Sequence, residues 1–145
     1  MHDLPRQLTV HELAELFEGR TTLVERLAEH ENPLDSANEV IAGLSEADKL
    51  EALNAHPAIG AHKLSARSAA EQGTEDDPET LAELDRLNRA YEQRFGFRFV
   101  VFVNRRPRRE IVPILRERLQ RTRAEELETG VDELVQIAVD RWCNS

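Results

Sequence analysis

The residue types that do acid–base and nucleophilic chemistry converge on one window of the chain. From His56 to Gln72 it reads His-Pro-Ala-Ile-Gly-Ala-His-Lys-Leu-Ser-Ala-Arg-Ser-Ala-Ala-Glu-Gln. Pro57 disfavours helical backbone at His56, so the imidazole is expected at the end of a helix, on a residue held extended. If Leu64 to Gln72 is helical, then Leu64, Ser68, Glu71 and Gln72 share one face, and Leu64 turns that face toward the core. A partly buried Glu71 within reach of His56 is an acid–base pair whose proton affinities the surroundings can tune. Two plainer readings stand beside it. His56-Pro57 also reads as a simple helix stop with the imidazole capping a carbonyl, and Ser68 with Glu71 also reads as an N-cap pair. His56 and His62 lack a third ligand in a helical frame, so no metal site is expected. Ser65 and Ser68 lack a nucleophile elbow, which argues against a serine hydrolase.

The C-terminal stretch carries a second signal. Leu127, Val131, Leu134, Ala138 and Arg141 follow helical spacing, so an arginine continues an apolar stripe. Buried guanidinium is costly unless it meets an anion. Arg141 therefore either snorkels to solvent at the helix end or points inward to a carboxylate, with Glu71 or a substrate as the partner.

The chain that must position these groups has 145 residues, 19 basic and 28 acidic side chains, and a formal charge of −9. That length suits one domain over residues 1–145. With 40% hydrophobic residues there is enough apolar material for a core, which argues against disorder. No apolar run is long enough for a membrane span, no secretory leader is evident, and the lone Cys143 excludes an intramolecular disulfide. A cytoplasmic protein is the expectation. The acidic balance disfavours nucleic acid and anionic membrane as partners. Asn104 to Arg123 departs from it, with eight arginines against Glu110 and Glu117, a local +6. Either this segment docks a polyanion, as in a helical adaptor, or its arginines pair with the acidic excess elsewhere.

Start signals for helices recur: Thr9 with Glu12, Ser36 with Glu39 and Thr122 with Glu125 fit the capping box, Ser45 precedes Glu46 and Asp48, and Asp77 precedes Pro78. Leu81, Leu84, Leu87 or Asn88, and Tyr91 form one apolar stripe. Ile111, Ile114 or Leu115, and Leu119 form another. Asn32-Pro33, Gly43, the His56–Gly60 stretch, Gly73 to Pro78 and Gly96 are breaks. The fold class is all-α, a single compact bundle of six to eight helices. Phe95 to Val103 is aromatic and β-branched, yet no second run exists to pair with it as a strand. It is expected as a buried extended segment or as an apolar helix start. Pro113 should kink the helix around it unless that helix begins late.

Taken in order, several of these motifs resemble one family. They are His56-Pro57-x-Ile59-Gly60, Ser68-x-x-Glu71-Gln72, Asn88-x-x-Tyr91-x-x-x-Phe95-Gly96-Phe97-x-Phe99-Val100, and the helix ending Ile137-Ala138-x-x-Arg141. The family is 2-oxo-4-hydroxy-4-carboxy-5-ureidoimidazoline (OHCU) decarboxylase, of the urate-to-allantoin route, and the short stretch from Gly60 to Ser68 is similar to its bacterial type. The resemblance implies an all-helical homodimer that decarboxylates a small ureidoimidazoline without a cofactor. It implies catalytic roles for His56 and Glu71. Substrate contacts would come from Arg141, Pro57, Ser68, Gln72 and the Phe97–Phe99 stretch, chiefly the backbone after Phe97. The arginine cluster after Val103 and Pro113 are not part of the family pattern, and Cys143-Asn144-Ser145 is not a peroxisomal address.

Overall fold

Polar caps and apolar stripes set seven helices among the residues described by the computed structural model, 8–56 and 78–143. They are α1 (Val10–Phe17), α2 (Thr22–Leu27), α3 (Ala37–Ala42), α4 (Glu46–Ala55), α5 (Pro78–Phe95), α6 (Arg108–Arg118) and α7 (Arg123–Cys143). Among the described residues there is no strand, as the all-α reading expects.

The caps form largely as read. Thr9 and Glu12 close a reciprocal capping box on α1, and Thr122 and Glu125 do the same for α7 at 3.0 and 3.2 Å. The Ser45 hydroxyl accepts from the Asp48 N–H at 3.2 Å, and Pro78 opens α5 where no N–H is needed. Ser36 departs from expectation: its backbone sits at φ −90°, ψ 0° and its side chain makes no cap hydrogen bond. The sequence had shown no cap at Thr21, whose hydroxyl accepts from Val24 at the start of α2.

The long α7 is the spine, packing against α1 and α4, while α2 bridges α1, α3 and α4, and α5 pairs with α6. Leu127, Val131, Leu134, Ala138 and Arg141 are all buried, so the stripe read from spacing is the face that meets the core. Gly130 lets α4 approach closely, because a Cβ there would stand 3.0 Å from Leu53 Cδ2. Helix α6 runs through Pro113 as one element starting five residues earlier, with Pro113 exposed and Ile111, Val112, Leu115 and Arg118 buried. No helix among the described residues is long and apolar enough to cross a membrane.

Between α5 and α6 the chain turns at Gly96, whose φ of +82° favours glycine. It then runs through the core without regular structure, burying Phe97, Phe99, Val100, Val101 and Val103. A buried backbone with no neighbouring strand must still satisfy its polar groups. Arginines do this. The Val100 carbonyl accepts from Arg118 at 2.8 Å, the Phe102 and Val103 carbonyls accept from Arg106 at 2.6 and 2.8 Å, and the Phe95 carbonyl accepts from Arg123 at 2.9 Å. The guanidinium groups of Arg118 and Arg123 also lie over the Phe99 and Phe97 rings.

Glu126, fully buried on α7, completes this layer. It accepts from the Tyr91 hydroxyl at 2.7 Å, from Arg118 Nε at 2.7 Å and from Arg121 Nη1 at 3.0 Å. Burial, then the bond to Glu126, pushes the Tyr91 phenol well above its ordinary range, so the hydroxyl stays a donor. Removing the carboxylate strands two arginines, one of them buried. Glu126→Ala is expected to lower unfolding free energy by about 3–5 kcal/mol in urea titration, against about 1 kcal/mol for Tyr91→Phe.

Candidate functional site

Helix α4 ends at Ala55, and His56 takes the extended conformation that a following proline demands, φ −80° and ψ 137°. The plain helix-stop reading is thus correct for its backbone. The side chain is buried, and its Nδ1 has no hydrogen-bond partner among the described residues. An unpaired buried ring nitrogen is costly unless a ligand or a proton transfer uses it. Burial first, then the charges of Arg141 and Arg98, with Glu18 opposing them, bring the imidazole from 6.5 down to about 4. At neutral pH it is uncharged.

Arg141, on the last turn of α7, points inward. Its Nη1 donates to the Leu16 carbonyl at 2.8 Å and its Nη2 lies 3.1 Å from Glu18 Oε1. Among the described residues, Glu18 supplies an anion for this buried charge; Glu71, the partner suggested by the spacing, lies outside them. Leu16 is on the last turn of α1, whose terminal carbonyls lack intrahelical donors. Glu18 is the residue that caps that helix, at φ +64°. A left-handed glutamate costs roughly 1–2 kcal/mol, and its placement is explained by the ion pair it makes. The next residue, Gly19, lies against α4, since a Cβ there would stand 3.3 Å from Ala55 Cβ. The end of α1, the end of α4 and the end of α7 thus meet around one imidazole.

The third side of the site is the segment after Phe97. The Phe97 and Phe99 rings are buried in an aromatic cluster with Tyr91 and Phe95, edge-on to Tyr91 at 5.9 and 5.2 Å. The backbone beyond Phe97 reaches α4: the Arg98 N–H donates to Asn54 Oδ1 at 3.0 Å. Of the residues singled out from sequence, His56, Arg141 and the Phe97–Phe99 backbone are brought together. Pro57, Ser68, Glu71 and Gln72 lie outside the described residues. Sequence reasoning missed Glu18 and Arg98. A glutamate directly before glycine at a helix end was the available signal for the first; nothing in local pattern marks the second.

Much of the arginine-rich segment is paired within the chain. Arg116 pairs with Glu83 at 2.6 Å, Arg118 and Arg121 with Glu126, and Arg123 with Glu46 at 2.6 Å. Five of its eight arginines (Arg106, Arg116, Arg118, Arg121 and Arg123) thus engage the chain's own carboxylates or carbonyls, as the self-pairing reading expects.

A model of the OHCU decarboxylase family matches residues 2–142. The chain belongs to the OHCU decarboxylase family. Among curated relatives it is 29% identical over 147 residues to the uric acid degradation bifunctional protein of Bacillus sp. (strain TB-90), a match covering 91% of this chain and 28% of that protein. It spans only that fraction of the bifunctional relative's length. It is 28% identical over 141 residues to 2-oxo-4-hydroxy-4-carboxy-5-ureidoimidazoline decarboxylase of Haloferax volcanii, covering 89% of this chain and 83% of that one. Two solved structures share the fold. OHCU decarboxylase crystallised in the presence of (S)-allantoin superposes with a TM-score of 0.76 at 24% identity, over 90% of this chain and 94% of the other. (S)-Allantoin synthase gives 0.70 at 21% identity, over 93% and 48%.

The neutral His56 links folding to pH. The unfolded imidazole binds a proton below 6.5, whereas the folded one does so only near 4. Stability is then full above 6.5 and lost as pH falls toward 4, by about 3 kcal/mol in all. Denaturant titrations across that range are expected to show this slope in the wild type and a shallower one in His56→Phe.

Proposed function

We propose that this OHCU decarboxylase family member is a carboxy-lyase converting 2-oxo-4-hydroxy-4-carboxy-5-ureidoimidazoline to (S)-allantoin in urate breakdown. The observation that carries the reading is a buried, uncharged His56 whose Nδ1 meets no hydrogen-bond partner among the described residues, set beside the guanidinium of Arg141. The substrate bears a carboxylate and a hydroxyl on one ring carbon, next to a carbon–nitrogen double bond. When the bond to the carboxylate breaks, carbon dioxide leaves and its electron pair flows into that unsaturation. The ring nitrogen of that unsaturation takes up a proton, the hydroxyl gives up its own and becomes a carbonyl, and the neighbouring ureido-bearing carbon takes a proton from one face. The ring is its own electron sink, so the protein's task is to orient, stabilise charge and move protons.

Neutral imidazole suits receipt of the hydroxyl proton, since an already protonated ring has no lone pair to offer. Entry of an anionic substrate offsets the cations beside His56 and raises its proton affinity toward the working range. Glu71 holds the ureido N–H groups and manages the delivered proton. Arg141 grips an anionic or carbonyl edge of the ring, with Pro57, Ser68, Gln72 and the Phe97–Phe99 stretch lining the remainder. The motif match to the family supports these roles. It also supports a single-domain homodimer that works without a cofactor and without nucleic-acid or membrane partners. The lone Cys143 accords with a reducing, cytoplasmic setting.

The test generates the unstable substrate from urate in situ and follows allantoin chirality by circular dichroism. The wild type is expected to accelerate formation of one enantiomer, whereas racemic product at the uncatalysed rate would reject the assignment. His56→Ala and Glu71→Ala should each lose about 10²–10⁴ in turnover. Arg141→Lys should mainly raise KM, because a point charge does not reproduce the fork.

A further inference from the structure

Arg98 makes a set of contacts that neither α4 nor the core requires of an arginine. Its Nη1 donates to the carbonyl of His56 at 2.5 Å and to the carbonyl of Asn54 at 3.2 Å. Its own backbone N–H returns to the Asn54 side chain at 3.0 Å, and Nε faces Glu92 on α5 at 3.7 Å. One side chain thus ties together the end of α4, the core-crossing segment and α5. The carbonyls it takes belong to the C-terminal end of α4, where the helix dipole favours a cation.

We propose that Arg98 is a positioning residue for His56, fixing the peptide that carries the imidazole and thereby the direction in which the ring meets substrate. The proposal rests on the catalytic reading of His56 given above. The group acts through the backbone and touches no reacting atom. Without the clamp, the His56 carbonyl, one residue past the end of α4, loses the donor that the described residues give it, and a misplacement of about 1 Å at a reacting group costs up to about 10²-fold in rate. Among the described residues, the other charged groups around the imidazole are Arg141 from α7 and Glu18 from the end of α1. Those two hold each other in an ion pair, so Arg98 is the cation tied to the histidine's own peptide.

The experiment compares wild type, Arg98→Met and Arg98→Lys in the full chain, with His56 followed by NMR of labelled imidazole in the absence of substrate and turnover measured separately. Arg98→Met keeps the aliphatic stem and loses charge and donors. It is expected to raise the His56 midpoint by a few tenths of a pH unit or more and to lower kcat by roughly tenfold with KM nearly unchanged. Arg98→Lys retains the charge and is expected to restore the midpoint and recover part of kcat, since a flexible ammonium does not reproduce the rigid, directed Nη1 that reaches both carbonyls. A Met variant that loses stability while the His56 midpoint and kcat stay at wild-type values would make Arg98 a helix cap only and overturn the proposal. If the wild type itself shows no turnover, the decarboxylase reading fails, while an unshifted imidazole midpoint in both variants still counts against Arg98.

Discussion

The structure depends on a single guanidinium placed where solvent does not reach it. Arg141 sits one residue before Trp142 at the end of the longest helix, is 3% exposed, and is held by the Leu16 carbonyl and the Glu18 carboxylate. A charge in that position is tolerated only with near-complete compensation, and the Leu16 and Glu18 groups that meet it come from the end of the first helix. The requirement therefore joins residues 125 positions apart and closes the bundle. It also decides the electrostatics of the histidine nearby, since a guanidinium fixed by its own carboxylate still disfavours a second cation.

A similar logic governs the core-crossing segment. An aromatic, β-branched run in a helical protein has no neighbouring strand to receive its backbone hydrogen bonds, and the arginines after Val103 take that role. Glu126 then compensates Arg118 and Arg121, and Tyr91 supplies a neutral donor to the same carboxylate. Part of the local excess of arginine, Arg106 and Arg118 above all, thus serves the inside of the molecule. This layer fixes the stretch beyond Phe97 against α4, so a buried ionic network far from the histidine in sequence defines one wall of its surroundings.

Helices were legible because their signals are local: hydroxyl and carboxylate three residues apart at Thr9 and Thr122, and apolar stripes on α5 and α7. Ser36 shows the limit, since the same spacing produced no cap where its backbone is not extended. The inward turn of Arg141 was legible as a conflict, a charge in an apolar row, but its partner was not. Glu18 reaches it only because α1 and α7 pack together, a long-range fact that no window of sequence contains. Arg98 was invisible for the same reason: its partners lie 42 and 44 positions away on α4. The arginine cluster was visible as composition, while its internal role followed from the missing strand partner.

In the proposed function, a small ureido-bearing ring is held between His56 and Arg141 at the meeting point of three helix ends. A crystal structure of the protein with (S)-allantoin bound tests it most directly. The account predicts the ligand within hydrogen-bond distance of a His56 ring nitrogen and of the Arg141 guanidinium, with the backbone beyond Phe97 alongside. Ligand density confined to the surface cleft lined by Asn38, Lys49, Glu128 and Asp132, with the His56 side chain unengaged, would contradict it.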